Sequence, residues 1–193
     1  MRDGPSMMTQ NLAKGHALRR LMTLTETQIE SLSEILIDCV AGGASVSFLH
    51  PLSHDRARGY WHEVRTRIES GEVALLIADD SSGIVGTVQI ALRQPENQSH
   101  RAHISKMLVH SRSQRRGVGT ALMLAAEDLA REQGKTLLDL DTAVGASEEF
   151  YHKLGWSVVG TVPGYALSGF GEPCDYRFFY RKLDSSRIEK FHR

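Results

Sequence analysis

Apolar positions along the chain change period repeatedly, from two residues to between three and four and back, and this predicts a mixed α/β domain. Ala17 to Met22 reads as a short first strand. Thr25 then caps a helix in which Ile29, Leu32, Ile35, Leu36 and Val40 form one stripe, ended by Gly42 and Gly43. A second helix is predicted from Ser53 to Ser70, stopped by Gly71. Val73 to Asp79, Ile84 to Leu92 and Ala102 to Val109 are extended, and the turn sequence DDSSG joins the first two as an antiparallel hairpin. Gly119 to Gln133 has the clearest helical stripe, made by Leu122, Ala125, Ala126 and Leu129, with Gly134 as its terminator. Leu137 to Asp141 is a strand, Ala146 to Leu154 a helix closed by Gly155, and Trp156 to Val162 and Asp175 to Leu183 are the last strands. Residues 1–16 are polar and unpatterned, with Met7 and Met8 as further candidate starts, and 184–193 read the same way. The expectation is a flexible N-terminal arm, one domain over 17–183, and a C-terminal tail.

The 193 residues carry 23 Lys plus Arg against 23 Asp plus Glu, a formal net charge of zero. This balance argues against nucleic acid or an anionic membrane as partner, since both are held largely by a basic excess. With 41% hydrophobic and 24% charged residues, disorder is excluded as the main state. A domain of this size buries roughly 70% of its extended surface, enough for a core without staples. Cys39 and Cys174 are far apart, with no second Cys or His at ligand spacing beside either, which excludes a disulfide framework and a zinc site. Cys39, in the apolar run Ile35 to Val40, reads as a buried small hydrophobe. No stretch approaches the ~18 to 20 apolar residues of a membrane span, and MRDGPSMMTQ lacks a signal peptide's apolar centre, so a cytoplasmic location is expected.

Between Val109 and Glu127, the segment VHSRSQRRGVGTALMLAAE sets a glycine-containing loop between a strand and a long helix. The first N–H groups of a helix lack internal partners and carry the positive end of its dipole, and Gly117 and Gly119 let backbone approach an anion without a Cβ. From Asn97 to Ala126 the chain holds Arg101, Lys106, Arg112, Arg115 and Arg116 and no Asp or Glu. In a neutral protein such a run is a patch suited to a small polyanion; the plain alternative is a solvated basic loop. The spacing GxGxxG and the GK[ST] ending are both missing, so this is neither a Rossmann nor a Walker loop.

The order of these elements, with Gln114-Arg-Arg-Gly-Val-Gly119 between strand and helix and Phe150-Tyr151-His-Lys-Leu-Gly-Trp156 some thirty residues on, resembles the GNAT superfamily of acetyltransferases over residues 17–183. Within it, Gly42-Gly-Ala-Ser-Val46, Arg101-Ala102, Lys106-Met-Leu-Val109, Leu140-Asp-Thr142 and Pro163-Gly-Tyr165 are similar to the branch that contains tabtoxin resistance acetyltransferase. The resemblance implies a mixed, mostly antiparallel sheet of six to seven strands with a central splay, flanked by about four helices. It implies acetyl-CoA as cofactor, its pyrophosphate on the amides of Gln114, Arg115, Arg116, Gly117, Val118, Gly119 and Thr120. Its arm would lie along Met107, Leu108 and Val109, with Phe150 beside it and an N–H near Leu108 polarising the acetyl carbonyl.

Transfer of acetyl from a thioester to an amine needs a neutral nucleophile, a stabilised oxyanion and protonation of the departing thiolate. Tyr151 matches the family's general acid, and a phenol of pKa ~10 keeps its proton at neutral pH; otherwise it anchors a helix to the core. Strand alternation puts His103, Ser105 and Met107 on one face, so His103 is a candidate base, although the tabtoxin-resistance pattern carries a carboxylate there. Asp141, at a strand end, is the competitor. The acceptor pocket is expected from Gly43 to His50 and Pro163 to Tyr176, with Ser45, Phe48, Tyr165 and Asp175 as its contacts. These expectations combine into an N-acetyltransferase for a small amine, of a toxin or antibiotic resistance kind, with a homodimer left open. An acetyltransferase for protein N-termini or lysines and a non-catalytic coenzyme A binding module are the rivals.

Overall fold

A computed structural model describes residues 10–12, 16–145 and 147–184. The expected arm and tail fall outside the described residues except for 10–12, 16 and 184. The elements run β1 (Gln10–Leu12), β2 (His16–Leu21), α1 (Glu26–Ala41), α2 (His54–Glu69), β3 (Val73–Asp80), β4 (Gly83–Ala91), β5 (Arg101–Val109), α3 (Val118–Glu132), β6 (Leu137–Ala143), α4 (Glu148–Lys153), β7 (Ser157–Leu167) and β8 (Pro173–Lys182). One sheet holds all strands in the order β1-β2-β3-β4-β5-β6-β8-β7. It has one strand more than six or seven because three residues of the expected arm pair with β2 as β1. Among the described residues no helix is long and apolar enough to cross a membrane.

Local signals set the helix starts. Thr25 accepts from the Gln28 N–H while the Gln28 side chain accepts from the Thr25 N–H, a reciprocal cap for α1. Ser53 caps α2 through Arg56 N–H. The central strands are buried on both faces. In β3, Ala74, Leu76 and Ala78 join the cluster under α3, while Leu75 and Ile77 join the cluster under α1 and α2. Two layers of helix therefore cover one sheet, which is why β3 reads as an unbroken apolar run.

Every strand pair is antiparallel except β5 with β6, which the α3 crossover makes parallel. That pair is short, with only Arg101, Ala102 and His103 matched to Leu137, Leu138 and Asp139. Beyond it β6 keeps its partner β8 as far as Ala143, and β5 keeps β4 as far as Val109. The sheet parts between them, giving the expected central splay.

The alternation expected along β5 fails at one residue. Lys106 has φ 49, and the register with β4 shifts between Thr87 and Gln89, which marks a bulge. Before it, Ala102 and Ile104 face α3; after it, Met107 and Val109 do. Met107 is thus on the face opposite His103 and Ser105, a correction to the expected single face, because the inserted residue inverts every side chain beyond it.

Candidate active site

The splay opens a cleft of about 890 Å³ lined by β5, β6, the start of α3, α4 and the loop after α1. At one end, α3 begins at Gly117, which has φ 86 and offers no side-chain cap. The N–H groups of Val118, Gly119 and Thr120 have no protein acceptor among the described residues. Arg115, also at positive φ (60), turns the loop that precedes them. Asp38 lines the same region, but its carboxylate accepts from Ser111 N and Oγ, both at 2.8 Å, and so anchors the loop to α1. Unpartnered amides, a helix dipole and a stretch without acids form a cradle that fits a diphosphate, and the edge of β5 facing β6 has, beyond His103, no paired strand among the described residues, leaving room for an extended arm. The residues present thus fit coenzyme A.

At the other end, three elements converge. His103 Nδ1 is 2.7 Å from Asp139 Oδ2, and Asp139 Oδ1 accepts from Arg101 at 2.7 Å. Burial works to raise the Asp139 pKa, but the His103 hydrogen bond and the charges of His103 and Arg101 outweigh it and hold the carboxyl below its usual range. An ionised Asp139 can only accept, which places a proton on His103 Nδ1 and leaves Nε2 as the acceptor of the neutral ring. Nε2 is 3.6 Å from Asp141 Oδ1. The two residues weighed against each other as bases are neighbours.

Tyr151 comes from α4 and is 7% exposed, packed on Phe150, Trp156 and Phe179. Glu148, in the first turn of α4, is ion-paired to Arg177 on β8, and Thr142 Oγ1 is 3.1 Å from Ser147 Oγ, so both ends of the β6–α4 connection are fixed. Burial, with the Asp141 charge adding to it, pushes the Tyr151 phenol up to about 12. The hydroxyl remains a donor through the physiological range.

Of the residues expected at the cofactor, Met107, Leu108, Val109, Gln114, Arg115, Gly117, Val118, Gly119, Thr120 and Phe150 line the cleft, whereas Arg116 is exposed outside it. Tyr151, His103 and Asp141 line it as well. The acceptor residues divide. Ser45 is there, its Oγ 2.7 Å from Tyr176 Oη. Phe48 lies beyond the lining, edge-on to Tyr60 at 5.3 Å. Tyr165 is 53% exposed on β7, and Asp175 accepts from the Gly164 N–H. Pro163 to Tyr176 is mostly the β7–β8 hairpin instead of a loop, because β7 runs on through Gly164 to Leu167. Sequence reading passed over Asp139 as the partner of His103, Tyr176 as a wall and Lys106 as a cleft charge. Arg101-Ala-His103 lying opposite Leu137-Leu-Asp139, with Asp141 two residues further on the same face, is the signal that would have shown the first, once the parallel register was in hand. Cys39 is buried and its thiol raised to about 12 by that burial, with the Asp38 charge, so it is an inert apolar filler.

Residues 30–156 match the model of the acetyltransferase (GNAT) family. Among solved structures, yncA of Salmonella typhimurium, determined with its cofactor acetyl-CoA, is 20% identical with a TM-score of 0.71, over 89% of this chain and 95% of that one. The ribosomal-protein-alanine N-acetyltransferase of Brucella melitensis is 23% identical with a TM-score of 0.70, over 86% and 99%. The ribosomal-protein-S5-alanine acetyltransferase of Vibrio fischeri is 11% identical with a TM-score of 0.74, over 92% and 97%. At these identities the likeness is one of fold.

Proposed function

The chain belongs to the GNAT acetyltransferase family, an acyltransferase that uses acetyl-CoA, and from that premise we propose that its acceptor is the amine of a small molecule. The motifs similar to the tabtoxin-resistance branch favour an amino-acid-like toxin or antibiotic, attacked directly in a ternary complex. The observation that carries the reading is the meeting of His103, Asp141 and Tyr151, from β5, β6 and α4, where the sheet parts.

When bound, acetyl-CoA supplies a thioester acyl group and a thiol that leaves. Asp141 attracts an acceptor ammonium to the cleft. His103 Nε2, its other nitrogen protonated against Asp139, takes the proton that frees the amine lone pair. Tyr151, which lines the cleft, would offer its hydroxyl as a donor to the sulfur of a bound thioester. A phenol held near 12 is a weaker acid than a thiol of pKa ~8.5, so outright proton transfer is uphill and the phenol acts chiefly as a hydrogen-bond donor.

A second reading, acetylation of a protein N-terminus or lysine, is favoured by the two ribosomal-protein-alanine acetyltransferases among the structural relatives. A panel of small amines, amino acids, peptides with N-terminal alanine and lysine peptides, read by thiol release and product mass, separates the two. Acetylation of small amines is the expected result. Acetylation of peptides alone would transfer the assignment to the second reading, and tight acetyl-CoA binding with no thiol release from any amine would sink both.

A further inference from the structure

Lys106 brings to the reaction end of the cleft a positive charge that neither the cradle nor the proton-handling groups use. Regular alternation would send it to the α3 side with Ala102 and Ile104, into the apolar cluster there. The bulge, with Lys106 itself at φ 49, sends it instead to the side of His103, where it lines the cleft. Its Nζ donates to Ser47 Oγ at 3.1 Å and stands 5.9 Å and 5.6 Å from the ring centroids of Phe48 and Tyr60. Among the described residues no carboxylate lies within 4.0 Å of it.

An ammonium has three donors, and among the described residues one is used. Burial lowers the Lys106 pKa; the Asp141 carboxylate, the largest charge acting on it, works the other way. The aromatic faces of Phe48 and Tyr60 also favour the cation. Asp141 and Lys106 therefore give one cleft two opposite charges, the negative one beside the candidate base and the positive one with donors free.

We infer that the acceptor is an amine that also carries an oxyanion, a carboxylate in the simplest case, seated on Lys106 and Ser47 while its ammonium lies toward Asp141 and His103. The inference rests on the small-amine reading above and narrows it. A zwitterion satisfies both charges in one orientation, the one that brings its nitrogen to His103 Nε2. A peptide N-terminus offers an amide where Lys106 asks for an anion, and leaves the lysine desolvated without a counter-charge.

The test uses α- and ω-amino acids, each paired with its primary amide, at saturating acetyl-CoA, with thiol release and product mass as readouts. The wild-type chain is expected to favour at least one carboxylated member by about tenfold or more in kcat/KM, a typical worth for a charge-assisted contact. Lys106→Met should slow the carboxylated amines about tenfold more than their amides. That ratio of ratios cancels the intrinsic reactivity of each amine. Lys106→Arg should keep the preference, and acetyl-CoA affinity, measured in parallel, reports that the variants are folded. Small amines acetylated with no preference for the carboxylate, or a Lys106→Met loss shared equally by both members, would overturn this inference alone. Acetylation confined to peptides, or no acetylation, would overturn the small-amine reading together with it.

Discussion

The two ends of the cleft are built by different means. The cradle is made from consecutive residues, 114 to 120, and offers backbone N–H groups whose direction depends on φ at Arg115 and Gly117. The reaction end is assembled from β5, β6 and α4 and offers side chains, each held by a partner from another element: His103 by Asp139, Tyr151 by Phe179. A backbone site tolerates changes of side chain and is damaged by changes of conformation, while a side-chain site shows the reverse. Substitutions at the first should read out in cofactor affinity, and at the second in turnover.

The strongest test of that division is His103→Ala, expected to lower kcat/KM for the amine by about 10²-fold or more near neutral pH, with acetyl-CoA affinity unchanged by calorimetry. The loss should shrink as pH rises past the acceptor's own amine pKa, because an amine already neutral needs no base. A deficit constant with pH would reduce His103 to a structural residue. Tyr151→Phe comes next, with kcat lowered roughly 10- to 10²-fold and cofactor affinity kept. Since the folded-state pKa is raised to about 12, the protonated form persists below that value, and Tyr151 should contribute no alkaline fall in kcat between pH 7 and 10. An alkaline limb present in the wild type and absent from the Phe variant would contradict it.

At the cradle, Gly117→Val puts a β-branched side chain at φ 86, which costs on the order of 1 to 3 kcal/mol and shifts the turn. Acetyl-CoA affinity should fall by about tenfold or more, with kcat at saturation little changed; a fall in kcat alone would erase the distinction between the ends. Gly119→Ala is the smallest effect. A Cβ there would meet Phe150 Cζ at 3.5 Å and Met107 Sδ at 3.6 Å, ordinary contacts, so the fold should accept alanine with up to about 1 kcal/mol of gain and a thermal midpoint a few degrees higher. If acetyl-CoA affinity drops even so, it is the ligand that needs the missing Cβ. A lower midpoint would contradict the packing described around α3.

The elements were legible because their signals are local: Thr25 and Ser53 as caps, Gly134 after α3, the apolar run of β3. So was the turn into α3, whose signal lies within seven consecutive residues. Three features were not. The bulge at Lys106 depends on how β5 meets β4, and without it alternation put Met107 on the wrong face. The extension of β7 through Pro163 and Gly164 depends on β8 beside it, which turned an expected acceptor loop into a hairpin and left Tyr165 and Asp175 off the cleft. The pairing of His103 with Asp139, with Asp141 beyond it, depends on a parallel register between strands more than thirty residues apart.

By itself the sequence determined the order of helices and strands from β2 onward, the zero net charge, and a basic, glycine-containing loop without acids at the start of α3. These rest on interactions between near neighbours in the chain, which periodicity and capping report directly. Only the tertiary structure decided where the sheet parts, which carboxylate orients His103, and that Lys106 faces the cleft with no carboxylate of its own among the described residues. Strand register and a single inserted residue decide which face a side chain occupies, and both are set by pairing between distant segments.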